Sequence, residues 1–119
     1  MRRLEVRLTS DFFVSALTRR VFGDGGFAAV VRKGAAEAGA VFVTTRNRMG
    51  EVTLFGPAPQ TSYDEERPSE RQFTLMLEGA DDAAVEARLA KEMRFDSDVW
   101  VIEIEPGKLS VEDLLSVAA

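Results

Sequence analysis

The sequence contains no histidine and no cysteine. Histidine is the one side chain whose ordinary pKa lies in the physiological range, and the cysteine thiolate is the most readily formed nucleophile. Their absence excludes disulfide bonds, thiolate zinc sites and every reaction that depends on an imidazole or a thiol. Any chemistry would have to use carboxylates, arginine, lysine, tyrosine or hydroxyls, so the sequence favours a protein that binds over one that catalyses.

Long hydrophobic runs are also missing. No segment approaches the about 18 consecutive apolar residues that a membrane-spanning helix needs, and the segment Met1–Arg7 has no apolar core of signal-peptide length. We therefore expect a cytoplasmic protein that does not contact a membrane. With 45% hydrophobic and 29% charged residues, the 119-residue chain has an ordinary globular composition, and we expect one domain over residues 1–119.

Charge is distributed unevenly along the chain. Residues 1–59 hold nine basic and five acidic side chains, whereas residues 60–119 hold six basic and fifteen acidic ones, and the net charge is −5. Two halves of opposite sign either neutralise each other within one fold or provide complementary patches between subunits. The acidic balance argues against a nucleic-acid partner.

The first half predicts a strand, a helix and three further strands. Leu4, Val6 and Leu8 alternate with polar residues, as in a strand with one buried face. Ser10 is predicted to be the N-cap of a helix to about Phe22, whose buried stripe comprises Phe13, Ala16, Leu17 and Val21. The glycine-rich segment after this helix predicts its end, and the strands that follow are Phe27–Arg32, Ala40–Thr45 and Glu51–Phe55.

The second half predicts two strands and two helices. Gln72–Leu77 is a strand, and Asp81 or Asp82 caps a helix to about Arg94 with an apolar stripe of Val85, Leu89, Ala90 and Met93. Val99–Ile104 is the least polar strand and is predicted to be central, and Ser110 caps a short last helix. The predicted fold is α+β: a mainly antiparallel sheet of about five to six strands, two main helices packed on it and a short C-terminal helix.

No metal or cofactor is expected. Asp96, Asp98, Glu103 and Glu105 are the obvious oxygen donors, but Asp-Ser-Asp before a buried strand is typical of a turn whose side chains bind its own backbone. The glycines of Gly23–Gly26 follow a helix and precede a strand, which is the reverse of the order in a phosphate-binding loop. No catalytic residue is predicted.

One cluster could bind an anion. Arginine forms paired hydrogen bonds with carboxylate or phosphate, and the chain has a single tyrosine, in the long polar loop Gly56–Glu70. The candidate anion-binding residues on this loop, its flank and the nearby hairpin turn are Arg46, Arg48, Tyr63, Asp64, Arg67 and Arg71. A solvated loop without a ligand is the alternative interpretation.

Several blocks of sequence resemble a known family. Arg32-Lys33-Gly34, the Gly-Pro-Ala-Pro-Gln segment at Gly56–Gln60 and the segment Arg94–Trp100 together resemble the bacterial domain-of-unknown-function family 1491, seen mostly in alphaproteobacteria. The resemblance covers nearly the whole chain. It implies a cytoplasmic, free-standing single domain, and it assigns no activity and no role to any residue.

We therefore expect a small non-enzymatic accessory or interaction protein of unknown specific function, bound to a protein partner or to itself as a homodimer. A binder or hydrolase of a small anion, using the arginine and tyrosine cluster, is the first alternative. The second is an RNA-binding module that uses the basic residues Arg2, Arg3, Arg7, Arg19, Arg20, Arg32 and Lys33.

Overall fold

A computed structural model describes residues 9–59 and 71–118. This part of the chain forms three helices and six strands, which follow one another as α1 Ser10–Gly23, β1 Phe27–Arg32, β2 Val41–Arg46, β3 Val52–Pro57, β4 Gln72–Ala80, α2 Asp82–Phe95, β5 Trp100–Glu105, α3 Val111–Leu114 and β6 Ser116–Val117. The predicted strand around Leu4–Leu8 and most of the predicted loop Gly56–Glu70 lie outside the described residues. At the loop's start, β3 continues through Gly56 to Pro57.

The strands form one α+β sheet in the order β1-β5-β2-β3-β4-β6. The β1–β5, β2–β3 and β3–β4 pairs are antiparallel, but β2–β5 and β4–β6 are parallel. The prediction of a mainly antiparallel sheet is therefore wrong, because the sheet is mixed. The chain passes through α2 before β5, which allows β5 to run in the same direction as β2, as a crossover connection requires.

Strand β5 is buried on both faces, as predicted. Its residues Trp100, Ile102 and Ile104 belong to one hydrophobic cluster with α1, whereas Val101 and the preceding Val99 belong to a second cluster with α2. A side chain points to the opposite face at each step along a strand, so this one segment holds both helices on the sheet. The buried Trp100 indole donates a hydrogen bond to the Ala35 carbonyl at 2.8 Å, which confirms that it is a core residue with a partner.

Helix α1 begins one residue earlier than predicted. Thr9 is the N-cap, and Ser10 is the first helical residue. The buried side of α1 comprises Ser10, Val14, Leu17 and Val21, while the predicted stripe residues Phe13 and Ala16 are only half-buried. The hydroxyl of Ser10 does not cap the helix because it donates instead to the carbonyl of Gly39, 2.5 Å away.

Helix α2 matches its prediction closely. Asp81 is its N-cap and accepts a hydrogen bond from the Ala84 amide at 2.8 Å. Val85 and Leu89 are buried and Met93 packs beside them, whereas Ala90, predicted in the same stripe, is exposed. The helix covers β3 and β4.

The turn between α1 and β1 is held against the turn that follows β5. The carboxylate of Asp24 accepts hydrogen bonds from the amides of Gly107 and Leu109, at 3.1 and 2.9 Å. The backbones approach so closely that a Cβ on Gly26 would overlap the carbonyl oxygen of Glu105. These contacts fix the position at which β1 enters the sheet.

A matched pair of glycine substitutions tests this close approach. We expect Gly26→Ala to lower the free energy of unfolding by about 1–3 kcal/mol, because the new methyl group forces the two turns apart. A methyl group on Gly23, the last residue of α1, would have no neighbouring atom within 4 Å, so Gly23→Ala is expected to stabilise by about 0.5 kcal/mol. Urea denaturation measures both changes, and equal effects would contradict the structure.

Acidification tests the cap of α3. The backbone amide and hydroxyl of Ser110 donate to the Asp113 carboxylate, at 3.1 and 2.9 Å, and hold the pKa of Asp113 below its usual value. The stabilisation of α3 by this cap is therefore present above the ordinary carboxyl pKa and is lost as the pH falls through the lowered pKa. An NMR titration of Asp113 should show that Ser110→Ala raises its pKa, and an unchanged value would refute this role for the hydroxyl.

Candidate functional site

The described residues of the predicted arginine and tyrosine cluster do not lie together. Tyr63, Asp64 and Arg67 are outside the described residues. Arg46 is opposite Val52, which pairs with Ala80 at the end of β4, whereas Arg71 precedes the first residue of β4. The two arginines are therefore separated by the length of β4, and a strand of nine residues is about 30 Å long.

Arg46 is already bound to carboxylates. Its guanidinium lies 2.8 Å from Asp82 and 4.0 Å from Glu103, and it also donates to the carbonyl of Gly50 at 3.1 Å. The hydrogen bond and charge of Asp82 raise the pKa of Arg46. Arg48 lies exposed in the hairpin turn next to it. At the described end of the hairpin, the charge of Arg46 is therefore balanced by Asp82 and Glu103.

Arg71 connects β4 to the start of α1. It donates a hydrogen bond to the Ser10 hydroxyl at 3.1 Å, and its guanidinium carbon lies 5.3 Å from the centre of the Phe13 ring. Partial burial lowers the pKa of Arg71. Stacking on an aromatic face and a hydrogen bond to a buried hydroxyl indicate that these contacts hold the fold together at this end of the sheet.

The acidic candidates also have structural partners. The Asp96 carboxylate accepts a hydrogen bond from the Asp98 amide at 2.9 Å, as predicted for a turn. Glu103 faces Arg46, and Glu105 is exposed on the last residue of β5. Within residues 9–59 and 71–118, no three acidic side chains are grouped so that they could hold a metal ion.

Two basic residues named for RNA binding are hydrogen-bonded to backbone carbonyls. Arg20 donates to Asp113 at 2.7 Å, and Arg32 donates to Ser97 at 2.8 Å. Arg20 is on α1 and Arg32 is at the end of β1, so each arginine connects two elements of the fold. These contacts do not form a basic groove.

The outer side of β1, which we call the β1 edge, has the features of a binding site. No described strand pairs with β1 on the side away from β5. Phe27 and Val31 remain 53% and 62% exposed, and Val30 is also exposed. Alternate backbone N–H and C=O groups of an edge strand point outward, so within the described sheet this strand combines hydrogen-bonding groups that no other strand pairs with apolar side chains.

The β1 edge is regular over its first four residues. Phe27 to Val30 pair in step with β5, and the register then shifts so that Val31 is an extra residue before Arg32 pairs with Val101. A bulge of this kind bends a strand and limits pairing beyond it. The stretch 27–30 is therefore the part of the edge that can accept another strand.

Two aromatic side chains border this stretch. Phe22 at the end of α1 packs edge-to-face on Phe27, with ring centres 5.7 Å apart, and both rings are about half exposed. At the other end, the Arg32–Ser97 hydrogen bond brings the turn after α2 close to β1, and Phe95 just before this turn is 85% exposed. Apolar surface therefore lies at both ends of the strand.

The sequence predicted the strand Phe27–Arg32 with its bounds but gave no indication that it lies at an edge. Five apolar residues in six suggest burial, and only Arg32 at its end and the following Lys33 are typical of an edge strand. At the opposite side of the described sheet, β6 pairs only with Gln72 and Phe73, so the rest of β4 is a second edge, on which Leu75 is the exposed large apolar side chain. Strand addition is the interaction that a long apolar edge supports.

Comparisons with known proteins identify relatives of this chain. A family model described as "Protein of unknown function (DUF1491)" matches residues 8–111. The solution structure of protein Atu0922 from A. tumefaciens is 50% identical, with a TM-score of 0.80 over 95% of this chain and 96% of that one. A search of curated proteins gives no match.

Two structures of a DUF1491 family protein from Caulobacter crescentus CB15 are each 32% identical to this chain. The crystal structure gives a TM-score of 0.70 over 96% of this chain and 100% of that one. The NMR structure gives 0.73 over 97% and 100%. The predicted resemblance is confirmed, and none of these descriptions assigns an activity. Among the described helices, none is both long and apolar enough to cross a membrane.

The hydroxyl of Ser10 provides a test of the contact with Arg71. Ser10 is fully buried, and its removal leaves the Gly39 carbonyl and one donor of Arg71 without this partner. We expect Ser10→Ala to lower the free energy of unfolding by about 1–3 kcal/mol. Ser15 is exposed on the same helix, so Ser15→Ala should change stability by less than about 0.5 kcal/mol. Equal melting temperatures for the two variants would contradict this role.

Proposed function

The chain belongs to the DUF1491 family of proteins of unknown function, and we propose its function from its own surface. It is a non-enzymatic cytoplasmic interaction protein that binds a partner protein along the β1 edge. The observation that carries the proposal is the exposure of Phe27, Val30 and Val31 on a strand with one open side in the described sheet.

The chemistry of the side chains supports binding over catalysis. A chain without histidine and cysteine would need a carboxylate or an arginine in an unusual environment to act as an acid, a base or a nucleophile. Arg46 is bound to Asp82 and Glu103, while Arg71 contacts Ser10 and Phe13. In the described residues, both arginines are thus engaged in contacts that stabilise the fold, and this supports binding over catalysis.

The β1 edge offers both parts of a binding site for an extended segment. Main-chain hydrogen bonds to the edge provide affinity that does not depend on sequence, and the side chains next to the edge provide selectivity. Phe22 and Phe27 form an aromatic border at one end, and Phe95 lies near the other end. A partner strand would therefore pair with β1 while its side chains cover these rings.

The proposal is tested by a charge on the edge. Val31 is exposed at the bulge that borders the pairing stretch, so Val31→Lys should leave folding unchanged within about 0.5 kcal/mol while it places a charge against the apolar side chains of any added strand. Met49 is 82% exposed in the β2–β3 turn, so Met49→Lys is a control with the same change in charge.

We expect wild-type protein and Met49→Lys to form a complex, with themselves or with another protein, and Val31→Lys to lose it. Light scattering of the pure protein and affinity capture from an A. tumefaciens lysate measure the two kinds of complex. The proposal fails if no complex forms, or if the complex of Val31→Lys is as stable as that of Met49→Lys.

A further inference from the structure

We infer that the partner at the β1 edge is a second copy of this chain, whose β1 pairs antiparallel with the first across a two-fold axis at Ala29. The inference rests on the function proposed above, because it names the occupant of the same edge. Such pairing joins the described six-stranded sheets of the two copies into one continuous sheet.

Symmetry restricts how two copies of β1 can pair. A two-fold axis perpendicular to the sheet keeps each side chain on its own face, and residues opposite each other in an antiparallel pair also share a face. The axis must therefore pass through a residue that lies opposite its own copy. The candidates are Ala28 and Ala29, which have neighbours on both sides within the regular stretch, and Val30, which is its last residue.

The bulge selects Ala29 among these. With the axis at Ala29, Ala28 lies opposite Val30 of the partner subunit, and all central pairs fall within the regular stretch 27–30. An axis at Val30 would place the bulged Val31 and Arg32 in the central pairs, opposite Ala29 and Ala28, whereas with the axis at Ala29 the bulge is reached only at the outermost pair. An axis at Ala28 would draw in Gly26, which is held against Glu105 and Gly107.

The exposed side chains are complementary in this register. Phe27 faces Val31 of the partner subunit at the border of the regular ladder, so the two most exposed apolar side chains of the strand cover each other at both ends of the pair. Alanine at the axis lets the two copies approach without crowding. The apolar surface of the β1 edge is thus self-complementary, as an interface between identical subunits must be.

The charges are complementary too. Glu105 lies beside Phe27 in the sheet, at the beginning of β1, and both Arg32 and Lys33 lie at its end. Antiparallel pairing brings the basic end of one copy to the acidic end of the other, twice per dimer. A parallel arrangement would place like charges together, which is destabilising.

A single introduced cysteine tests the axis, because the chain has no cysteine of its own. In the proposed dimer, the two copies of residue 29 are directly opposite, with α-carbons about 5 Å apart, within the range that a disulfide spans. Mild oxidation of Ala29→Cys should therefore give a covalent dimer. Val31→Cys is the control, since its two copies are about 14 Å apart along the strands and should remain uncrosslinked.

The outcomes separate the two proposals. Rapid cross-linking of Ala29→Cys, without cross-linking of Val31→Cys, supports the dimer and its register. A monomer that does not cross-link, together with capture of another protein that Val31→Lys abolishes, overturns self-association and leaves the proposed function standing. If the protein is a monomer and Val31→Lys captures the other protein as well as the wild type does, both proposals are overturned.

A charge exchange tests the same interface without cysteine. Lys33 and Glu105 lie at the two ends of the proposed strand pair and are not buried, so neither substitution should affect folding. We expect Lys33→Glu and Glu105→Lys each to weaken dimerisation by roughly tenfold at low salt, and the double variant to restore it. Analytical ultracentrifugation measures the dissociation constants, and a double variant weaker than both single variants would refute the pairing.

Discussion

The burial of strand β5 on both of its faces is the constraint on which the rest of the structure depends. Trp100, Ile102 and Ile104 belong to the hydrophobic cluster of α1, and Val101 belongs to the cluster of α2, so both layers of the molecule meet on this one strand. Apolar burial of this extent contributes more to stability than any surface ion pair of the chain. Because β5 lies between β1 and β2, it also decides which strand is left at the border of the sheet.

Local structure was predicted well because it depends on neighbouring residues. The strand Phe27–Arg32, the cap at Asp81 and the buried indole of Trp100 all follow from periodicity, capping and side-chain chemistry. The pairing of β2 with β5 could not be predicted, since an apolar strand has the same pattern whether its neighbour runs parallel or antiparallel. The role of Ser10 was missed for a related reason. Its partners, Gly39 and Arg71, come from distant parts of the chain.

The candidate site shows the same difference between features that depend on neighbouring residues and features that depend on the arrangement of the whole chain. The side chains with a chemical signal in the sequence are arginines, and the structure places Arg46 and Arg71 at opposite ends of β4. The β1 edge, by contrast, consists of residues that carry no chemical signal, and it exists only because of the strand order. Two solved structures that cover 95% and 96% of this chain share its fold, with TM-scores of 0.80 and 0.70. The topology that creates the edge can therefore be compared directly within the DUF1491 family.

The pairing of Phe27 with Glu105 has a consequence for biosynthesis. The first strand of the described sheet pairs with one of the last, so its inner side stays uncovered until β5 has emerged from the ribosome. Such long sequence separation raises the contact order and slows folding. During that interval the nascent chain exposes both the inner and the outer side of the apolar strand β1. Exposed apolar strands of this kind are the surface that chaperones bind.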